Sequence, residues 1–195
     1  MIGRHFDGYR QVVENDAVAV LEKDHSTVQD LFSRVSRQDE DRPAVLKELL
    51  RTLSAHVAAE KQLLVPVLRQ HGDEGKALAD ELGDAHHAIE KLVVLVERRK
   101  VNSPDVPDLV NELLDITDRH IAHATGRLFG FLRENVDPAQ LADLGEALRS
   151  NEVQLHSHPH PHLPDTGPLA VVSRKAAALF DRGRDSTADL NRSSS

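Results

Sequence analysis

Four residues of α-helix turn the chain through about 400°, so a histidine and a glutamate at that spacing lie nearly one above the other and can share one ion. His56-Val57-Ala58-Ala59-Glu60 has this spacing, and His120-Ile121-Ala122-His123-Ala124 repeats the frame with alanine in place of the carboxylate. One half of a metal site is intact and the other is altered. The chain contains no cysteine, which excludes disulfides, thiolate metal sites and thiol nucleophiles together. Any metal must therefore be held by imidazole nitrogen and carboxylate oxygen. That chemistry suits iron, manganese or zinc, with iron favoured if carboxylates shared between helices bridge two ions.

The elements that must position these residues are helices. From Asn15 to Val35, the residues Val18, Leu21, Val28, Phe32 and Val35 recur at three-and-four spacing, and His25 takes a slot in the series. A second helix is expected to begin near Pro43, with a seam of Leu46, Leu49, Leu53, His56, Glu60, Leu63 and Val67. His71-Gly72 suits its C-terminus, glycine being at ease in the left-handed conformation there. A third seam follows as Ala79, Leu82, His86, Ile89, Val93 and Val96. Beyond the breaks at Pro104 and Pro107 comes a fourth, Leu109, Leu113, Ile116, His120, Ala124 and Phe131. Each helix thus carries one histidine on its apolar seam. A lone buried histidine is more often a satisfied core residue than a ligand, but four of them can converge. Glu60, one turn from His56, needs a positive partner if it is buried and ionised.

Four such helices with short connections predict an all-α fold, an antiparallel up-down-up-down four-helix bundle. Asp137-Pro138 opens a short fifth helix to about Asn151 that folds back onto it. The expected organisation is an N-terminal segment over 1–14, the bundle over 15–152, a His/Pro-rich linker over 153–168 and a C-terminal tail over 169–195. The segment from His156 to Pro164 is expected to be extended. Leu169 to Asp185 can form a weak helix with Val172, Ala176, Leu179 and Phe180 on one face. The Ser193-Ser194-Ser195 end is expected to fray.

Composition narrows the class further. Apolar residues make up 39% of the chain but aromatics only 3%, which fits helix packing better than a β-sandwich. The formal charge of −8 argues against a nucleic-acid partner. There is no apolar run near the roughly 20 residues needed to span a bilayer, and Met1 to Arg10 is polar rather than signal-like. The expectation is a soluble, cytoplasmic protein with no membrane partner, a monomer or weak homodimer.

The residues now carry a family resemblance. Asp24-His25, His56-Val57-Ala58-Ala59-Glu60 with Leu63-Leu64-Val65-Pro66, Ala85-His86-His87-Ala88-Ile89, and His120-Ile121-Ala122-His123 with Leu128-Phe129 together resemble the bacterial hemerythrin-like proteins with an HHE cation-binding domain. The likeness covers roughly Asn15 to Glu134. It implies a centre of one or two iron ions, oxo- or hydroxo-bridged as a di-iron pair in the family, on His25, His56, Glu60, His86 and His120. His86 is preferred to His87 because it shares the seam of Leu82 and Ile89. The segments from Pro159 to Thr166 and Phe180 to Asp185 resemble C-terminal extensions of some members. His158, His160 and His162 fit a solvated linker better than a surface metal site.

The departure is Ala124, where the family's second bridging carboxylate belongs, while Gly130 replaces a usual proline. Either His123 swings in as a nitrogen ligand, or water or hydroxide fills the place, or the second metal is lost. We expect a weakened or asymmetric second site. Glu22, Asp84 and Asp118 are expected to be solvated, His87 to lie off the seam, and Tyr9 is unplaced by the sequence. No separate catalytic or organic-cofactor residue is picked out. The resemblance implies a non-haem iron protein that binds or processes O2, NO or H2O2, including a catalase-like activity, without choosing among carrier, enzyme and sensor. The alternative is an iron- or redox-sensing stress protein whose metal occupancy controls partner binding.

Overall fold

Helix α1 (Ala17–Val35) starts where the carboxylate of Asp16 accepts the Ala19 N–H at 2.9 Å. Helix α2 (Arg42–Ala59) starts the same way, Asp41 accepting from Ala44 at 3.3 Å with Pro43 in the first turn. It runs on through a π-helical turn, π1 (Glu60–Leu64), into α3 (Val65–Leu68). Gly72, at φ 70°, then turns the chain into α4 (Gly72–Glu97), a conformation that costs glycine no steric clash. A fourth long run comprises α5 (Val106–His123), a second π-helical turn π2 (Ala124–Leu128) and α6 (Phe129–Asn135). Helix α7 (Pro138–Ser157) follows. This computed structural model describes residues 15–37 and 41–157, and among them the regular secondary structure is all helical.

Helix α1 packs on α2 and α7, α7 also touches α2, and α4 lies against α5 and α2. Ion pairs tie neighbours together, with residue numbers rising along one helix as they fall along the other. Lys61 meets Glu90 at 2.7 Å and Arg69 meets Asp80 at 2.6 Å between the second run and α4. Exposed pairs of this kind contribute under about 1 kcal/mol each, so apolar burial holds the helices together. That burial is divided into two clusters. One contains Val18, Leu21, Leu63, Leu64, Leu82, Ala124, Leu128 and Leu144, with Phe129 and Phe131. The other contains Val28, Phe32, Leu46, Leu49, Leu53, Ile89, Val93 and Leu113. The buried histidines come from the stretches between these two clusters.

Two expectations are refined. The buried face of α5 is Val106, Val110, Leu113, Thr117 and His120, leaving Leu109 and Ile116 partly buried at its margin. Thr117 can sit inside because its hydroxyl donates to the Leu113 carbonyl at 2.7 Å. Helix α7 also continues through His156 and Ser157, into the stretch expected to be extended linker. The first proline there is Pro159, which disfavours α geometry only from the residue before it. Tyr9, the rest of the 1–14 segment, His158, His160, His162 and the helix expected over Leu169 to Asp185 lie outside the described residues.

Helix α7 does fold back, onto α1 and α2, and one glycine lets it come close. A Cβ on Gly145 would collide with the Asn15 carbonyl oxygen and lie 2.7 Å from Asp16 C and 2.9 Å from Ala17 N. Gly145→Ala should therefore push α7 off the start of α1 and destabilise the protein by about 1–3 kcal/mol. Thermal denaturation measures this, and an unchanged midpoint would contradict the close approach.

Candidate metal centre

Helices α1, α2, α4 and α5 each contribute one histidine to the buried layer: His25, His56, His86 and His120, exposed by 4%, 4%, 0% and 3%. Glu60, the first residue of π1, is 0% exposed. The Val65 N–H bonds to the Glu60 carbonyl, and the Phe129 N–H bonds likewise to the Ala124 carbonyl, so the two π-turns begin at matching points. Each follows a histidine by four residues. Ala124 therefore occupies the counterpart of the Glu60 position, fully buried in the apolar cluster. π-Turns are uncommon and cluster at functional sites, where the extra residue resets which face points inward.

The donor atoms converge. His56 Nε2 lies 3.2 Å from His120 Nε2, and Glu60 Oε2 is 3.5 Å from the first and 3.4 Å from the second. His25 completes a set whose ligating atoms all lie within 4.8 Å of one another. Its ring stands edge-on to His56 and His120, at centroid distances of 4.9 and 5.3 Å, and stacks on Phe129 at 5.8 Å. His86 takes a different place: its Nε2 donates to Glu60 Oε2 at 2.7 Å, so it holds the carboxylate and is not part of the four-residue set.

His123 does not join them. Its Nε2 pairs with Glu81 Oε2 at 2.8 Å, and Arg127 Nη1 donates to both Glu81 oxygens at 3.0 and 2.9 Å. The spacing of three residues from His120 makes the two histidines neighbours on the helix, but Glu81 on α4 draws His123 to the outer side. His87, Glu22 and Asp84 are exposed, and exposed Asp118 accepts from Gln29 at 3.4 Å. Asp24 enters the sequence reading only as the neighbour of His25 in the Asp24-His25 element, with no role of its own. It lies 4.0 Å from His56 Nδ1, on the far edge of that imidazole, and carboxylates so placed orient metal-binding histidines. Its only sequence signal is its place beside His25.

Burial sets the electrostatics. It pushes His25 down to about 3, with neighbouring His56 acting in the same direction. Burial likewise pushes His120 down to about 4, aided by His56 and opposed by Glu60. Burial opposes ionisation of Glu60 as well, yet His56, His120 and the bond from His86 together hold it below the usual carboxylate range. At neutral pH His25 and His120 therefore offer unprotonated imidazole nitrogen and Glu60 an ionised carboxylate oxygen. Such a donor set could hold a metal ion.

The unsatisfied atoms point the same way. Both ring nitrogens of His25, Oε1 of Glu60 and Nδ1 of His86 are buried with no hydrogen-bond partner. Such atoms cost about 1–3 kcal/mol each unless something replaces the lost water. Zinc-like and iron-like ions bind these donors at roughly 2.0–2.2 Å, which places neighbouring ligands on one ion about 3.0–3.5 Å apart. The triangle of His56, His120 and Glu60 atoms already has that size. The residues fit a transition-metal ion.

Two consequences can be measured on metal-free protein. Folded His25 and His120 titrate near 3 and 4 against 6.5 for an unperturbed histidine, so between those values the unfolded chain binds more protons. Stability should fall as pH drops below about 6.5, by up to about 1.4 kcal/mol per pH unit for each histidine, and Glu60 adds to the loss below about 4.5. Urea denaturation from pH 7 to pH 4 checks this, and a flat profile would refute it. Second, His25→Leu should stabilise metal-free protein by about 1–2 kcal/mol, because it removes two unpartnered nitrogens from an apolar setting. The same variant should bind added metal more weakly, a trade-off that melting curves with and without metal would reveal.

Comparison with known proteins agrees with this arrangement. A crystal structure of a hemerythrin HHE cation binding domain-containing protein from Mycobacterium kansasii superposes with a TM-score of 0.64, at 21% identity, over 86% of this chain and 98% of that one. An uncharacterized hemerythrin-like protein of Schizosaccharomyces pombe is 21% identical over 180 residues, covering 91% of this chain and 87% of that protein. A DNA nickase of Nostoc sp. is 27% identical over 125 residues, which is 62% of this chain and 34% of the nickase. Residues 16–132 match the hemerythrin HHE cation binding domain, a span that contains every residue of the buried cluster, and the chain belongs to that family.

Proposed function

We propose that this chain is a non-haem iron protein that binds or processes a small molecule of the size of O2, NO or H2O2 at its buried histidine–glutamate layer. The observation that carries the reading is the triangle of His56 Nε2, His120 Nε2 and Glu60 Oε2, with edges of 3.2, 3.4 and 3.5 Å. Two imidazoles and one carboxylate on one face form a donor set associated with non-haem iron(II) that keeps positions open. His25, His56, Glu60 and His120 would hold the ion, which would supply a redox-active Lewis acid. The protein's own part is positioning. His86 holds Glu60 by its hydrogen bond, Phe129 stacks on the face of His25, and the two apolar clusters flank the layer.

One ion per chain is the stoichiometry these residues favour. The second carboxylate is replaced by Ala124, His123 is engaged by Glu81, and His86 is engaged by Glu60. We read the scaffold as an up-down-up-down four-helix bundle, a reading supported by the opposed numbering of the interhelical pairs.

Anaerobic reconstitution with ferrous iron, followed by metal analysis and electron paramagnetic resonance, tests the reading. The expected result is close to one iron per chain with a mononuclear high-spin ferric signal after oxidation, and about two irons in Ala124→Glu. Failure of wild type to retain iron would sink the functional reading. Two irons per wild-type chain would instead refute the single-ion assignment alone.

A further inference from the structure

A cleft of about 360 Å³ opens between α4 and α5, and His120 forms part of its wall. His120 is 3% exposed and belongs to the candidate ligand set, so the cleft reaches from the surface to one residue of the buried layer. Its existence follows from side-chain size. Ala85 and Ala88 line it from α4, one helical turn apart, and Ile116 lines it from α5. Two alanines facing a partner helix leave a gap that larger residues would close.

The rim has a different chemistry from the interior. Glu81 and His123 sit there, bonded to each other, and Glu81 is also held by Arg127. Arg119 is exposed on the same rim and has no ion-pair partner among the described residues. The carboxylate is thus engaged by its neighbours while one guanidinium faces solvent. Short-range attraction by the Arg119 guanidinium at the mouth favours anions, while Leu82, Ala85, Ala88 and Ile116 give the interior apolar walls.

We propose that the α4–α5 cleft is the access route by which a small neutral or anionic molecule reaches the metal ligands, with Ala85 and Ala88 setting its bore and Arg119 attracting anions to its mouth. This rests on the functional reading above only for what lies at the inner end. The route itself is a property of the metal-free protein. His123 acts here as part of the rim rather than as a metal ligand, which gives this residue of the HxxxA frame a place in the fold.

Ala88→Phe narrows the cleft, Arg119→Glu reverses the exposed charge without touching the interior, and Val94→Phe on exposed α4 surface serves as control. In metal-free protein, dissolved O2 should enhance methyl proton relaxation at Ala85 and Ile116 more than at buried Leu53 and Leu113. Ala88→Phe should remove that enhancement and Val94→Phe should not. In iron-loaded protein, azide association followed by its absorption band should slow at least tenfold in Ala88→Phe. In Arg119→Glu it should slow about threefold at low ionic strength, with iron content unchanged in each. No selective relaxation at Ala85 and Ile116, or azide rates equal to wild type in both variants, would overturn the proposal. If no iron is retained, the functional reading fails, and the O2 measurement on metal-free protein still decides whether the route exists.

Discussion

An ionised carboxylate at the centre of an apolar bundle is the constraint to which the rest of this structure answers. Glu60 has no exposed surface, and stripping water from a carboxylate costs several kcal/mol unless other groups replace it. Three imidazoles gather around one of its oxygens, and one of them, His86, donates a hydrogen bond. The arrangement holds the negative charge while leaving Glu60 Oε1 and the His25 nitrogens unsatisfied. A core built only for stability would place leucine at these positions. Here local stability has been given up for a set of donors that a cation would complete.

Much of the surrounding architecture serves to hold that layer. The apolar residues form two clusters rather than one, because the stretches between them carry the polar side chains. The π-turns at Glu60 and Ala124 matter for the same reason. Each places the residue four positions after a histidine at the start of a widened turn, then resets the face on which the following leucines are buried. The two π-turns thus begin at matching positions while the side chains there differ. Ala124 has the geometry of a ligand position and the chemistry of a core residue. It is buried among apolar side chains at the position that matches Glu60.

The outer side of the bundle shows how local competition decides the fate of a residue. His123 follows His120 by three positions and could have turned inward, but Glu81 and Arg127 provide a hydrogen-bonded partnership at the surface. An imidazole half in water and paired to a carboxylate is better placed than one forced into an already crowded layer. Asp24 illustrates the converse. Adjacent to a ligand in sequence, it leans toward the imidazole of the next helix rather than its own neighbour.

What the sequence determined by itself was whatever depends on periodicity and residue type. Seam positions for His25, His56, Glu60, His86 and His120 followed from three-and-four spacing, because an amphipathic helix must bury its apolar stripe whichever partner it meets. The absence of cysteine settled the donor chemistry, and Pro43, Gly72 and Pro138 marked helix ends through their backbone restrictions. The tertiary structure alone decided which ring nitrogen meets which oxygen, that His86 holds Glu60 and His123 faces Glu81, and that α5 buries Thr117 in preference to Ile116. It also decided the two π-turns, whose cost is recovered only by packing between helices. These outcomes turn on distances of a few tenths of an ångström between side chains far apart in the chain, and local spacing carries no record of them.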